Sequence, residues 1–203
     1  IAIGVSAGDA LTSGKNNVAI GKEAFTRGTT SSENVAIGNN ALGQDTYTSS
    51  GSVAIGYFAL GDSTSGATNV GIGYRAGKGM TTGYNNVIIG RDAGYQITTA
   101  RENVVIGAGA YASANTSENY GVAIGFNAAT LLDGIDNVVA IGHSALSTMV
   151  AVDGNTAVGF EAGKVTTGAN NTYLGFKAGK GASGAEGGNT GVGSRALESV
   201  TTG

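Results

Sequence analysis

Asn34-Val35-Ala36-Ile37-Gly38-Asn39-Asn40-Ala41 decides the fold, because the chain keeps returning to it. The same block reads Asn86-Val87-Ile88-Ile89-Gly90-Arg91-Asp92-Ala93 further on, and Asn103-Val104-Val105-Ile106-Gly107-Ala108-Gly109-Ala110 after that. Its closing glycines are Gly4, Gly21, Gly38, Gly56, Gly73, Gly90, Gly107, Gly125, Gly142, Gly159, Gly175 and Gly193, separated by 16 to 18 residues. A fixed period of this kind marks a repeat architecture, in which each unit is one supersecondary element that cannot bury its apolar face alone.

Each column of the repeat has a physical reading. The residue before the glycine is always branched and apolar, from Ile3 and Ile20 to Leu174 and Val192, and two residues earlier stands Val, Ile or Thr. β-Branched side chains two apart predict one face of a short strand. We expect that pair to line the inside of the coil. The column between them then points outward: Ala19, Ala36, Ala54, Ile88, Val105, Ala123 and Ala140 are small and apolar where solvent would ask for polar residues, so they are expected to form a chain–chain interface. The glycine is expected to need positive φ or a close backbone approach. The alanine three residues later, from Ala7 to Ala196, marks a tight position. The asparagines that open most blocks, such as Asn17, Asn34, Asn69 and Asn86, should stack as a ladder at a corner, from which Ser52, Gly121 and Val138 depart. Turn residues such as Thr81-Thr82-Gly83 fill the spaces between blocks.

A 17-residue period is too short for helical or leucine-rich repeats, and abundant Gly and β-branched residues disfavour helix. The expected fold is therefore all-β: a parallel β-roll, or β-solenoid, of about twelve 17-residue coils, some 55 Å long at a ladder spacing of about 4.8 Å. The 203 residues read as a single repeat domain over 1–203. The chain opens inside one block and stops at Thr201-Thr202-Gly203, where the next Asn would follow, so we expect a fragment of a longer fibre.

Composition removes other classes. Gly supplies 37 residues while Pro, Cys and Trp are absent, which excludes collagen, disulfide scaffolds and thiolate chemistry. A formal net charge of −3 argues against a nucleic-acid partner, and no apolar run is long enough to span a membrane.

The Asn-x-Val-Ala-Ile-Gly blocks resemble the head repeats of trimeric autotransporter adhesins of the YadA type. The 17-residue version with Thr-Thr-Gly before the Asn, as in Thr81 to Gly90, is similar to repeats in bacteriophage tail fibres and related bacterial surface fibres. The resemblance covers essentially the whole chain. It implies a left-handed roll, three chains side by side, an extracellular location on a cell surface or virion tail fibre, and attachment to a glycan or protein receptor. The YadA-type repeats are shorter, near 14 residues, than those found here.

Chemistry for an enzyme is sparse. His143 is the only histidine, and it stands one residue after the motif glycine, where other copies carry Tyr57, Tyr74, Phe126, Phe160 and Phe176. Gly71-Ile72-Gly73-Tyr74-Arg75-Ala76 spells a dinucleotide fingerprint, but that motif requires a following helix and the repeat predicts none. Asp133 to Asp136 lacks the spacing of a calcium loop. No cofactor, metal site or catalytic residue is expected. Two features are candidates for recognition. Phe126, His143, Phe160 and Phe176 fall in successive coils and either clamp neighbouring coils or present rings to a ligand. Leu131, Leu132, Met149 and Val150 lie in unusually apolar turns and serve either recognition or chain contact. An ice-binding alternative rests on the Thr column at Thr12, Thr29, Thr64, Thr81, Thr98, Thr116 and Thr166; a polysaccharide-binding or polysaccharide-degrading fibre segment is a further alternative.

Overall fold

The computed structural model describes residues 1–43, 46–113, 119–131, 136–148, 153–182 and 187–200. Twelve strands form one parallel sheet in sequential order: β1 Ala2–Ile3, β2 Val18–Ile20, β3 Val35–Ile37, β4 Val53–Ile55, β5 Val70–Ile72, β6 Val87–Ile89, β7 Val104–Ile106, β8 Val122–Ile124, β9 Val139–Ile141, β10 Thr156–Val158, β11 Thr172–Leu174 and β12 Thr190–Val192. Each strand pairs with the one a single repeat later, motif residue on motif residue: Val35 opposite Val53, Ala36 opposite Ala54, Ile37 opposite Ile55. The chain is a β-solenoid, and among the described residues it contains no helix.

The motif glycine meets both demands placed on it. Gly90 has φ +136°, and a Cβ there would lie 2.7 Å from the carbonyl oxygen of Gly107. Besides a position five residues before each motif glycine, such as Asn85 (φ 58°), the backbone enters the left-handed region at two columns after it, the second and fourth following residues, as in Phe58 (φ 53°) and Leu60 (φ 48°). No Val, Ile or Thr occupies either column, which is the sequence trace of a conformation that β-branched residues tolerate worst.

The two faces of the strand are the reverse of the expectation. The middle column points inward: Ala19, Ala36, Ala54, Ile88, Val105, Ala123 and Ala140 are each fully buried within the single chain and are therefore not a chain–chain interface. The flanking Val and Ile point outward and remain partly exposed in β2 through β9. The interior explains why. It already holds the alanine column (Ala24, Ala41, Ala59, Ala76) and, in most coils, one large side chain contributed by the fourth or the seventh residue after the motif glycine. Phe25 is matched by Gly28, whose Cβ would overlap the Phe25 ring, and Leu60 by Ser63. The order inverts at Gly94 with Ile97, where the glycine makes room and the later residue fills it, while the space at Gly77 is taken by Leu60 and Ile88 of the neighbouring coils and Met80 is buried beside it. A Val and an Ile from every coil would overfill this space.

The asparagine ladder forms as expected. Asn86 Oδ1 accepts the backbone N–H of Asn103 at 3.1 Å and its Nδ2 at 3.0 Å, and Asn69 Oδ1 does the same for Asn86. Two interruptions are met by tyrosines. At Ser52 the buried Tyr47 hydroxyl donates to the Gly66 carbonyl at 2.9 Å and accepts from Ser52 Oγ at 2.8 Å. At Gly121 a side chain would collide with the Tyr111 hydroxyl. Buried polar atoms require partners, and at Ser52 the missing amide is replaced by the serine hydroxyl, which accepts the Asn69 N–H at 3.1 Å, while at the third departure the column holds the buried, apolar Val138.

Candidate interaction surface

The largest outward feature is a stripe two side chains wide. From Val18 and Ile20 in β2 to Val139 and Ile141 in β9, eight successive strands present only Val and Ile to the outside. In β10 to β12 the first of these columns becomes Thr156, Thr172 and Thr190, and the second becomes Val158, Leu174 and Val192. Leu174 is 48% exposed. Monomeric soluble proteins rarely leave so continuous an apolar surface open.

On the trailing side of the stripe, after the motif glycine, the expected aromatic column is present. Phe126, His143, Phe160 and Phe176 stack with centroids 5.2, 5.1 and 5.4 Å apart and planes within 29°. Each ring covers the next, so the column offers edges to solvent and few free faces. A sugar ring stacks on an aromatic face, so this geometry favours clamping of neighbouring coils over a stacking platform. Lys177 Nζ lies 5.0 Å from the Phe176 centroid, at the end of the column. Leu131 is exposed at 50% and borders a shallow depression of about 310 Å³ with Asn127, Thr130, Ser147 and Lys164. Leu132, Met149, Val150 and, in the Thr column, Thr116 lie outside the described residues.

A second cluster follows β4 to β6; its Tyr57 and Tyr74 pair forms the shorter aromatic ladder expected from the sequence, while the Arg75, Tyr95 and Asp92 part was not singled out. Tyr57 and Tyr74 stack at 5.2 Å, with Phe58 edge-on to Tyr57. The Arg75 guanidinium sits between Tyr74 and Tyr95, 4.9 and 4.5 Å from their centroids, and its Nε donates to Asp92 Oδ1 at 2.7 Å. Lys78 pairs with Asp62 at 2.9 Å beside another depression of about 310 Å³, which Gln96 and Thr98 also line. The readable signal was Arg75 followed one repeat later by Asp92 in the same column. In the turn after β10, Glu161 accepts from Lys164 at 2.9 Å and from Lys180 at 2.7 Å, and these two ammonium groups hold its carboxyl down at about 2.

The remaining candidates are placed as follows. Gly71 to Ala76 runs from β5 into a turn, without the helix a dinucleotide fingerprint needs. Of the acidic turn, Asp136 is described, and its Oδ1 accepts the N–H of Asn119 at 2.8 Å. Among the described residues, no three of His, Cys, Asp and Glu gather to hold a metal ion. Thr12, Thr64 and Thr81 each donate their hydroxyl to a threonine carbonyl of the next coil at 3.0 to 3.2 Å, so these donors are engaged within the solenoid. No protein-family model matches the chain, and neither the curated proteins nor the solved structures yield a match.

Proposed function

We propose that this chain is a rigid segment of a trimeric fibre, three copies lying side by side, that serves attachment to a cell surface. The observation that carries the assembly is the Val and Ile stripe of β2 to β9. The interior is full without these side chains, so folding of one chain does not account for them. Covering them with copies of the same surface does, and it removes from water what a lone solenoid would leave wet. Left-handed winding, an extracellular location and the adhesive role, with a glycan or protein receptor, belong to the same proposal and rest on the likeness of the repeat to adhesin heads and tail fibres.

Sedimentation equilibrium tests it. The wild-type chain is expected at three times the 19.8 kDa protomer mass. Replacing Ile37, Ile55 and Ile72 together with Ser should give a monomer with an unchanged far-UV spectrum. A wild-type chain that is monomeric at micromolar concentration contradicts the proposal.

A further inference from the structure

We infer that the depression floored by Gly79 binds a neutral sugar residue of a glycan; this rests on the proposed attachment role and gives its receptor a chemical class and a place. Asp62, Gly79 and Gln96 are each the sixth residue after a motif glycine, in three successive coils. Gly79 puts no side chain between the other two, and Lys78, Tyr95 and Thr98 complete the walls of a space of about 310 Å³.

The site lies half a coil from the Val and Ile stripe. Gly79 stands eight residues after Gly71 and nine before Ile88, the centres of β5 and β6. The interior lies between: Leu60 reaches across it to Gly71, where a Cβ would be 2.7 Å from the Leu60 Cγ. Copies that cover the stripe therefore leave this depression open.

The solenoid itself does not call for these side chains. Gly61 and Ala112 hold the Lys78 and Tyr95 position in the two flanking coils, and Ser113 holds that of Gln96 in the next coil. The backbone ladder continues regardless, the Asp62 N–H donating to the Lys78 carbonyl and the Gly79 N–H to that of Tyr95, each at 3.0 Å. The Lys78–Asp62 pair is partly exposed, and such pairs add little stability. Its effect is positional. Lys78 Nζ donates to both Asp62 oxygens, at 2.9 and 3.2 Å, which fixes a donor beside an acceptor with their charges cancelled. Gln96 and Thr98 bring groups that both donate and accept. Adjacent hydroxyls of a pyranose ask for that mixture, because each gives one proton and accepts others.

Tyr95 supplies the ring against which the apolar face of a sugar packs. The Arg75 guanidinium, 4.5 Å from the ring centroid and hydrogen-bonded to Asp92, steadies it from one side. Unlike the rings from Phe126 to Phe176, Tyr95 stacks on no other ring among the described residues.

Saturation-transfer NMR on the intact chain tests the site. The probes are the methyl glycosides of glucose, galactose, mannose and N-acetylglucosamine at millimolar concentration, because a shallow site holds a single sugar weakly. At least one glycoside should take up saturation, with Tyr95→Ala weakening its binding about tenfold and Gln96→Ala about threefold. Gln96 is exposed, so its variant keeps the test open if Tyr95→Ala misfolds. Phe176→Ala, in the aromatic column, should bind as the wild type does. No transfer to any of the four, transfer that both site variants leave intact, or binding only of N-acetylneuraminic acid as a charged fifth probe, overturns the inference. Flow cytometry with the labelled chain on intact bacterial and epithelial cells reads the attachment role separately. Staining that both site variants leave undiminished keeps attachment and overturns the sugar site. Sugar binding without staining keeps the site and overturns attachment.

Discussion

Strands β2 to β9 and strands β10 to β12 share one backbone and one interior plan but differ on the outside. In the first region the leading outward column is valine without exception; in the second it is Thr156, Thr172 and Thr190. The register continues unbroken across the change, with Val139 opposite Thr156 and Thr156 opposite Thr172. The fold therefore accepts a hydroxyl at this position. Eight consecutive valines are then a property of the surface rather than a requirement of the solenoid, and that difference is the strongest reason to seek a partner for the stripe. The interior shows the opposite behaviour. Where β11 places Tyr173 in the inward column, Gly163 and Gly179 stand where other coils carry Phe25 or Leu60, and a Cβ on either would strike the Tyr173 ring. Inside, volume is conserved across neighbouring coils; outside, chemistry is free to change.

Breaking the interior should have the largest effect. Tyr173→Ala removes a 1% exposed ring between two glycines and leaves a cavity that nothing adjacent can fill. A loss of about 3–5 kcal/mol is expected in denaturant unfolding, felt first in β10 to β12. The ladder comes next. Asn86→Ala strips the acceptor from the Asn103 N–H and orphans buried groups on both sides, for an expected loss of about 1–3 kcal/mol.

Exchanging the outer columns sharpens the comparison without touching the interior. Val53→Thr, Val70→Thr and Val87→Thr together copy the β10 to β12 surface onto the first region. Thermal unfolding of the protomer should change little, while sedimentation should show weaker association. The converse exchange, Thr156→Val and Thr172→Val, should strengthen it. The smallest effect concerns pH. Glu161 is held at about 2 in the folded chain, below an ordinary unfolded value of about 4.3, by hydrogen bonds from Lys164 and Lys180. A depressed carboxyl stabilises the fold above the unfolded value, and that contribution is lost as pH falls from about 4.5 toward 2. Glu161→Gln should flatten the fall in melting temperature across that window.

Much of the fold was legible in the columns. The period placed every strand, the glycine announced its left-handed backbone, and the asparagines announced their ladder. The facing of the strand was not legible from alternation, because a two-residue period is symmetric and both columns are apolar. Uniform Val and Ile looked like core, and alanine looked like contact surface. The decisive signal was variance: the inward column holds Ala19, Gly71, Ile88 and Tyr173, and its changes are answered by glycines elsewhere, as Tyr173 is by Gly179. A column that trades volume with others is inside. The cluster of Arg75, Tyr95 and Asp92 escaped notice because Arg75 stands 17 and 20 residues before its two partners and meets them only once the coils are stacked.

The account turns on which way the motif strand faces, and a matched pair of substitutions in β4, compared by sedimentation velocity, tests it most directly. Ile55→Lys puts a charge on the outer stripe and should yield a compact, folded monomer. Ala54→Lys puts the same charge into a full interior and should yield an expanded, unfolded chain. A compact Ala54→Lys protein, or an Ile55→Lys protein that unfolds or still sediments as the wild type does, would contradict the account.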